Sequence, residues 1–178
     1  MAVVTRVFEF DAAHRVMNER VKCYNLHGHR FRLEVSFGIS PKFYDLGYPI
    51  DFKELKRVFG AYIDEFLDHA CIVNPKDREV IDLCTRNKWK LWVMGHGANV
   101  DRNPSAENLA EEIFTVFREL ARLSPEEFDV RSVKLYETPN CWVQVSETQV
   151  YLDVGVKNAL FMWRDKKGTF EYDSRRCQ

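Results

Sequence analysis

At 178 residues, with 46% apolar side chains and 13% aromatics, the chain is long enough for a single domain with a sizeable core. Its 26 basic and 27 acidic residues are interspersed and leave a net charge of −1, so no field draws nucleic acid or an anionic membrane, and neither partner is expected. No apolar run approaches the ~20 residues of a membrane helix and no signal-peptide core follows Met1, while five cysteines without framework spacing read as free thiols, so a cytoplasmic protein is expected.

Val3 to Phe10 alternates apolar and polar residues and predicts a first strand, with His14 just beyond it in Phe10-Asp11-Ala12-Ala13-His14. Cys23 and His27-Gly28-His29 follow, and Arg30 to Ile39 predicts a second strand with Phe31, Leu33, Val35 and Phe37 on one face. Read as strand, His27 and His29 share a face at i and i+2, and a hairpin brings His14 alongside. Three imidazoles and one open position describe a catalytic zinc better than a structural one. Gly28 lets backbone or substrate come close to the ion. Cys23 has two readings: a thiol beside an open site, or a fourth ligand that closes a structural one.

After the turn-rich stretch from Ser40 to Pro49, Asp51 can cap a helix with Glu54 at its third position. Leu55, Val58, Phe59, Tyr62, Ile63 and Phe66 recur at helical spacing, and that helix ends near Asp68-His69. Taken alone, Asp68-His69 reads as a charge arrangement at a helix end. An extra piece, about 76–103, holds a short helix from Glu79 to Asn87, a short strand from Lys90 to Met94, and the turn Gly95-His96-Gly97, whose histidine reads as an exposed loop residue. Pro104-Ser105-Ala106-Glu107-Asn108 opens a second long helix carrying Leu109, Ile113, Phe114, Phe117 and Leu120. Val130 to Tyr136 and Cys141 to Val154 predict two further strands around the turn Glu137-Thr138-Pro139-Asn140. From about 161 the tail is charged and covers a surface or frays. The expected fold is α+β in the order strand, strand, helix, helix, strand, strand: an antiparallel sheet with two helices packed on one face, in a single domain over 1–178.

Ala13-His14, Cys23-x-x-x-His27-Gly28-His29, Ile50-Asp51-Phe52, Leu67-Asp68-His69, Pro104-Ser105-Ala106-Glu107-Asn108-Leu109-Ala110 and Glu137-Thr138-Pro139, in that order, resemble the signature of the 6-pyruvoyltetrahydropterin synthase superfamily. The likeness runs from residue 5 to about 150. The three residues between Cys23 and His27 resemble its bacterial 6-carboxytetrahydropterin branch, in the queuosine pathway, although the animal pyruvoyl enzymes look similar in this motif.

Carried over position by position, the resemblance implies that His14, His27 and His29 bind Zn2+ and that Cys23 is the catalytic base. It further implies that Asp68 and His69 support proton transfer and that Glu137 anchors the pterin ring. The implied reaction converts 7,8-dihydroneopterin triphosphate to 6-carboxy-5,6,7,8-tetrahydropterin, triphosphate and acetaldehyde; the alternative within the superfamily stops at 6-pyruvoyltetrahydropterin without cleaving the side chain. A zinc-stabilised binding protein, with Cys23 on the metal, is the reading from another class. The resemblance also implies the tunnelling fold, in which sheets of several subunits join into a barrel, and a homohexamer with active sites at subunit interfaces, where Glu137 serves a neighbour's zinc. The family's His-Gly-His-Asn-Tyr is His27-Gly28-His29-Arg30-Phe31 here, and its Pro-Thr is Pro104-Ser105. Arg30 is thus a new charge near the site, and Arg30, Lys22 or Arg20 is a candidate contact for the triphosphate. Cys71, Cys84, Cys141 and Cys177 match no motif and read as packing or surface thiols.

Overall fold

In the computed structural model, which describes residues 3–18, 22–38, 51–95, 101–124 and 129–146 together with 157, 160 and 163, the predicted hairpin is the centre of the fold. Strands β1 (Val4–His14) and β2 (His27–Gly38) pair antiparallel from Val4 opposite Phe37 to His14 opposite His27. Alternation puts Phe8, Phe10, Ala12 and His14 of β1 and Phe31, Leu33, Val35 and Phe37 of β2 on one buried face. Each buried Phe or Leu on that face stabilises the fold by roughly 1.5–3 kcal/mol.

That face is covered by helices. Asp51 caps α1 (Phe52–Leu55) through its side chain, which accepts from the Lys53 N–H at 2.8 Å, while Glu54 pairs with Arg57 instead of completing a capping box. The helical run continues as π-helical turns over Lys56–Gly60 and Ile63–Leu67 and stops at Asp68, whose backbone is extended. Helix α3 (Ala106–Arg122), capped by Ser105, buries Leu109, Ile113, Phe114, Phe117 and Leu120. The two helical runs meet through Phe59 and Phe117, ring centroids 4.9 Å apart.

The sheet departs from the expected antiparallel one. It has six strands in the order β4-β3-β1-β2-β5-β6 and is mixed. β5 (Asp129–Thr138) and β6 (Cys141–Val145) extend the antiparallel side, as the turn at Glu137-Thr138-Pro139-Asn140 predicts. On the other side β3 (Ala70–Val73) runs parallel to β1, and β4 (Leu91–Val93) parallel to β3. Parallel neighbours need a crossover connection: α2 (Arg78–Asn87) supplies it between β3 and β4, while β1 reaches β3 only by way of β2 and the helical run from 52 to 67. The expectation of two helices on one face is corrected as well. Helix α2 packs Val80, Cys84 and Ile81 against Cys71, Val73, Leu91 and Val93, which alternate to the face opposite Ala70, Ile72 and Trp92.

His96, Arg20, Cys177, the stretch from Ser40 to Pro49 and the end of the last predicted strand lie outside the described residues, as does the charged tail apart from Trp163, which packs against Tyr62 and Phe66.

Candidate metal centre

The three imidazoles converge at the connecting end of the central hairpin, where β1 ends and β2 begins. His14 lies opposite His27 and Ala12 opposite His29, so all three rings rise from the helix-covered face of the sheet, just past the ring of Phe31. Nitrogen atoms of His14, His27 and His29 all lie within 4.8 Å of one another, a spacing that fits one metal ion bound by three histidines. Backbone carbonyls fix which nitrogens face the ion. His14 Nδ1 donates to the Pro104 carbonyl at 2.8 Å, and His27 Nδ1 to the Asn25 carbonyl at 2.7 Å, which leaves each Nε2 as the lone-pair nitrogen. Among the described residues the buried His14 Nε2 has no hydrogen-bond partner, as expected of a nitrogen reserved for a metal. Burial holds the His14 imidazole below its usual pKa, against the opposing pull of the Pro104 carbonyl and Glu137, a shift that favours the neutral form a metal needs.

Gly28, between the ligands, answers a crowding between strands: a Cβ there would come within 3.2 Å of the Ala12 carbonyl oxygen. Cys23 lies on a short 3-10 turn, Lys22–Tyr24, and is exposed; its sulfur is not among the atoms that close to within 4.8 Å of one another. Glu137, near the end of β5, points back to the cluster, with Oε1 3.6 Å from His14 Nε2. A carboxylate so placed beside a metal site can accept paired N–H donors from a flat heterocycle.

Asp68 and His69 stand elsewhere. They occupy the link between the helical run and β3, where Asp68 accepts from the Asp11 N–H at 3.0 Å and the His69 N–H donates to the Asp11 carbonyl at 2.6 Å. His69 Nδ1 is 2.7 Å from Asp68 Oδ2, an orienting contact of carboxylate to imidazole. His69 holds φ at 61°, a left-handed conformation that favours glycine at a helix end. The imidazole opens into a shallow depression where Asp11, Ala13, Gly28, Arg30 and Cys71, which alternate to the face away from the three clustered histidines, line the wall together with Ala12, His29 and Ala70. Arg30 belongs to this second face. Its guanidinium pairs with Asp11 at 3.1 and 3.2 Å, which lowers the Asp11 carboxyl below its usual pKa. Lys22 sits on the Cys23 turn.

The carbonyls of Pro104 and Asn25 that orient the ligands are invisible to sequence reading, because any residue could supply them. A second network around Arg15, Asn74, Asp77, Asp101 and Asn103 also escaped it. Asn103 accepts from the Met17 N–H and donates to the Met17 carbonyl, Asn74 donates to both Asn103 and Asp101, and Arg15 grips Asp77. The Asn-Pro and Asp steps in those loops are the only trace such a network leaves in sequence.

A mixed sheet with strand-borne imidazoles clustered at the end of its central hairpin defines an α+β domain able to hold a metal ion. The model of the 6-pyruvoyl tetrahydropterin synthase family matches residues 3–148, and the chain belongs to that family. It is 40% identical over 149 residues to the 6-carboxy-5,6,7,8-tetrahydropterin synthase of Rickettsia conorii, covering 82% of this chain and 100% of that protein. It is 29% identical over 154 residues to the enzyme of the same name from Haemophilus influenzae, covering 83% of this chain and all (100%) of the other. The fold is shared with an uncharacterized protein of Wolinella succinogenes, at a TM-score of 0.62 and 21% identity over 83% of this chain and 98% of that one. It is also shared with the Caenorhabditis elegans 6-pyruvoyl tetrahydropterin synthase, at 0.54 and 24% over 83% of this chain and 98% of that one.

Proposed function

We propose that the protein is a zinc-dependent 6-carboxy-5,6,7,8-tetrahydropterin synthase: a cytoplasmic lyase that converts 7,8-dihydroneopterin triphosphate to 6-carboxytetrahydropterin, acetaldehyde and triphosphate. The product serves queuosine and other 7-deazapurines. The observation that carries the reading is the cluster of His14, His27 and His29 with Glu137 beside it, in a chain that matches relatives of that name along their whole length.

The residues divide the work by chemistry. Glu137 accepts the ring amino and N3 hydrogens of the pterin, fixing its register against the cluster. His14, His27 and His29 would hold a zinc ion, which would supply Lewis-acid polarisation of the substrate side chain. Cys23 removes a proton from the substrate side chain; its exposed position off the imidazole group supports an open site over a closed one of four ligands. His69, oriented by Asp68, returns a proton.

Asp68 and His69 open on a depression that His29 also lines but whose side chains Asp11, Ala13, Arg30 and Cys71 belong to the face away from the imidazoles, which supports a shared site in which a second copy brings its pair to this copy's metal. A homohexamer, its sheets joined into a barrel as in the tunnelling fold, answers that need and covers the edges at β4 and β6. Incubation of the purified, zinc-loaded protein with 7,8-dihydroneopterin triphosphate tests the reading. Acetaldehyde and triphosphate are expected to appear in step; triphosphate without acetaldehyde assigns the pyruvoyl reaction instead.

A further inference from the structure

Arg15 follows the buried ligand His14, and its side chain turns away from the metal cluster to join two parts of the chain far apart in sequence. On one side the guanidinium forms a two-pronged pair with Asp77, Nε to Oδ2 at 2.5 Å and Nη2 to Oδ1 at 2.6 Å, and reaches Glu79 at 3.0 Å. Asp77 is 1% exposed and Arg15 12%, so this pair is shielded in a way that surface ion pairs are not. The carboxylate cannot swing away, because it also caps α2 by accepting from the Val80 N–H at 3.2 Å, while the Asp77 N–H donates to the Asn74 carbonyl at 2.9 Å. On the other side the guanidinium lies 5.5 Å from the ring centroid of Tyr24.

Tyr24 is the neighbour of Cys23 on the Lys22–Tyr24 turn. Among the described residues that turn is also tethered to the strand end by its backbone: the Cys23 carbonyl accepts from the Val16 N–H at 2.8 Å. The backbone bond fixes where the turn lies, and the stacked ring fixes how it is rotated, which decides where the Cys23 sulfur points. Tyr24 is 49% exposed, so burial alone does not hold its ring in place. We propose that Arg15 is a positioning residue, through which α2 sets the orientation of the Cys23 thiol by way of the Tyr24 ring. The inference rests on the reading of Cys23 as the base, and it gives the 76–103 segment a function: its helix carries the carboxylates that hold the arginine.

A purely structural role for Arg15 would be to neutralise buried Asp77, and Tyr24 separates the two. Tyr24→Ala leaves the Arg15–Asp77 pair intact and removes the stack, whereas Tyr24→Phe keeps the ring face. For the zinc-loaded protein, kcat is expected to fall about tenfold or more in Tyr24→Ala and in Arg15→Ala, with KM within about twofold of wild type, zinc content unchanged, and Tyr24→Phe close to wild type. The rate of Cys23 alkylation by iodoacetamide is expected to change in the same two variants and not in Tyr24→Phe. Equal kcat losses in Tyr24→Phe and Tyr24→Ala, or wild-type kcat and alkylation in Tyr24→Ala, would overturn the proposal. If Arg15→Ala fails to fold, the Tyr24 pair decides alone. Cys23→Ala in the same series keeps the two readings apart: a dead Cys23→Ala beside a normal Tyr24→Ala defeats the positioning role only, while an active Cys23→Ala defeats the assignment of the base.

Discussion

Glu137 Oε1 lies 3.6 Å from His14 Nε2 of the same chain. β5, which carries Glu137, pairs with the very strand that carries His27 and His29. The Glu137 carboxylate and the histidine cluster are therefore built on one continuous piece of sheet.

Glu137→Ala should then weaken substrate binding and leave the metal in place. Losing charge-assisted hydrogen bonds of this kind costs roughly 1.5–3 kcal/mol, about tenfold to a hundredfold in KM. Steady-state kinetics with metal analysis on the same sample check it, and an unchanged KM would remove Glu137 from the pterin site.

The link to α3 predicts a pH dependence of stability. Glu112 is fully buried, accepts from the Gly95 N–H at 2.6 Å and pairs with Arg102. Burial pushes its carboxyl from 4.5 up to about 7, against the opposing pull of the Gly95 N–H and Arg102. With a raised folded-state pKa the folded chain holds this proton more tightly than the unfolded one, so the group's contribution falls as pH rises from 4.5 to about 7 and is fully lost above that. Glu112→Gln removes this titration. Its stability relative to wild type should improve across that window by roughly 3 kcal/mol, as read from urea unfolding at several pH values. Parallel curves for the two proteins would contradict this.

His69 supplies a test of strain against function. With φ at 61°, a side chain at this position costs about 1 kcal/mol that glycine does not. His69→Gly is expected to match or exceed wild type in thermal stability and to lose turnover, whereas His69→Ala loses turnover without the gain. Calorimetry beside the product assay checks both, and full turnover in His69→Gly would show the imidazole to be dispensable.

The opposite placement of Asp68–His69 and the imidazole cluster predicts complementation. Cys23→Ala and His69→Ala, each inactive alone, should recover activity when unfolded and refolded together, because mixed assemblies then contain intact shared sites. Recovery no greater than the sum of the separate proteins would confine the site to one chain.

Much of this was legible in the sequence because it is local. Phe31, Leu33, Val35 and Phe37 alternate on one face, so the β2 strand and the facing of His27 and His29 follow from period alone. The helical stripe from Leu55 to Ile63 and the cap at Ser105 are equally local signals. β3 was not legible. Ala70-Cys71-Ile72-Val73 is a short apolar run flanked on both faces by helices, so it shows no alternation, and nothing in it encodes a parallel partner. The same limit hid α2's choice of face, and the Arg15–Asp77 pair, whose members are 62 residues apart. Asp68-His69 could be found as a motif, but the face on which it opens depends on the pairing of β3 with β1.

With three histidines on the metal and Cys23 beside it, the metal content of purified Cys23→Ala separates a base from a ligand. The same zinc content per chain as wild type is expected, in a folded protein that releases no acetaldehyde. Loss of the zinc with unfolding of the chain would make Cys23 a ligand and the centre a closed structural site.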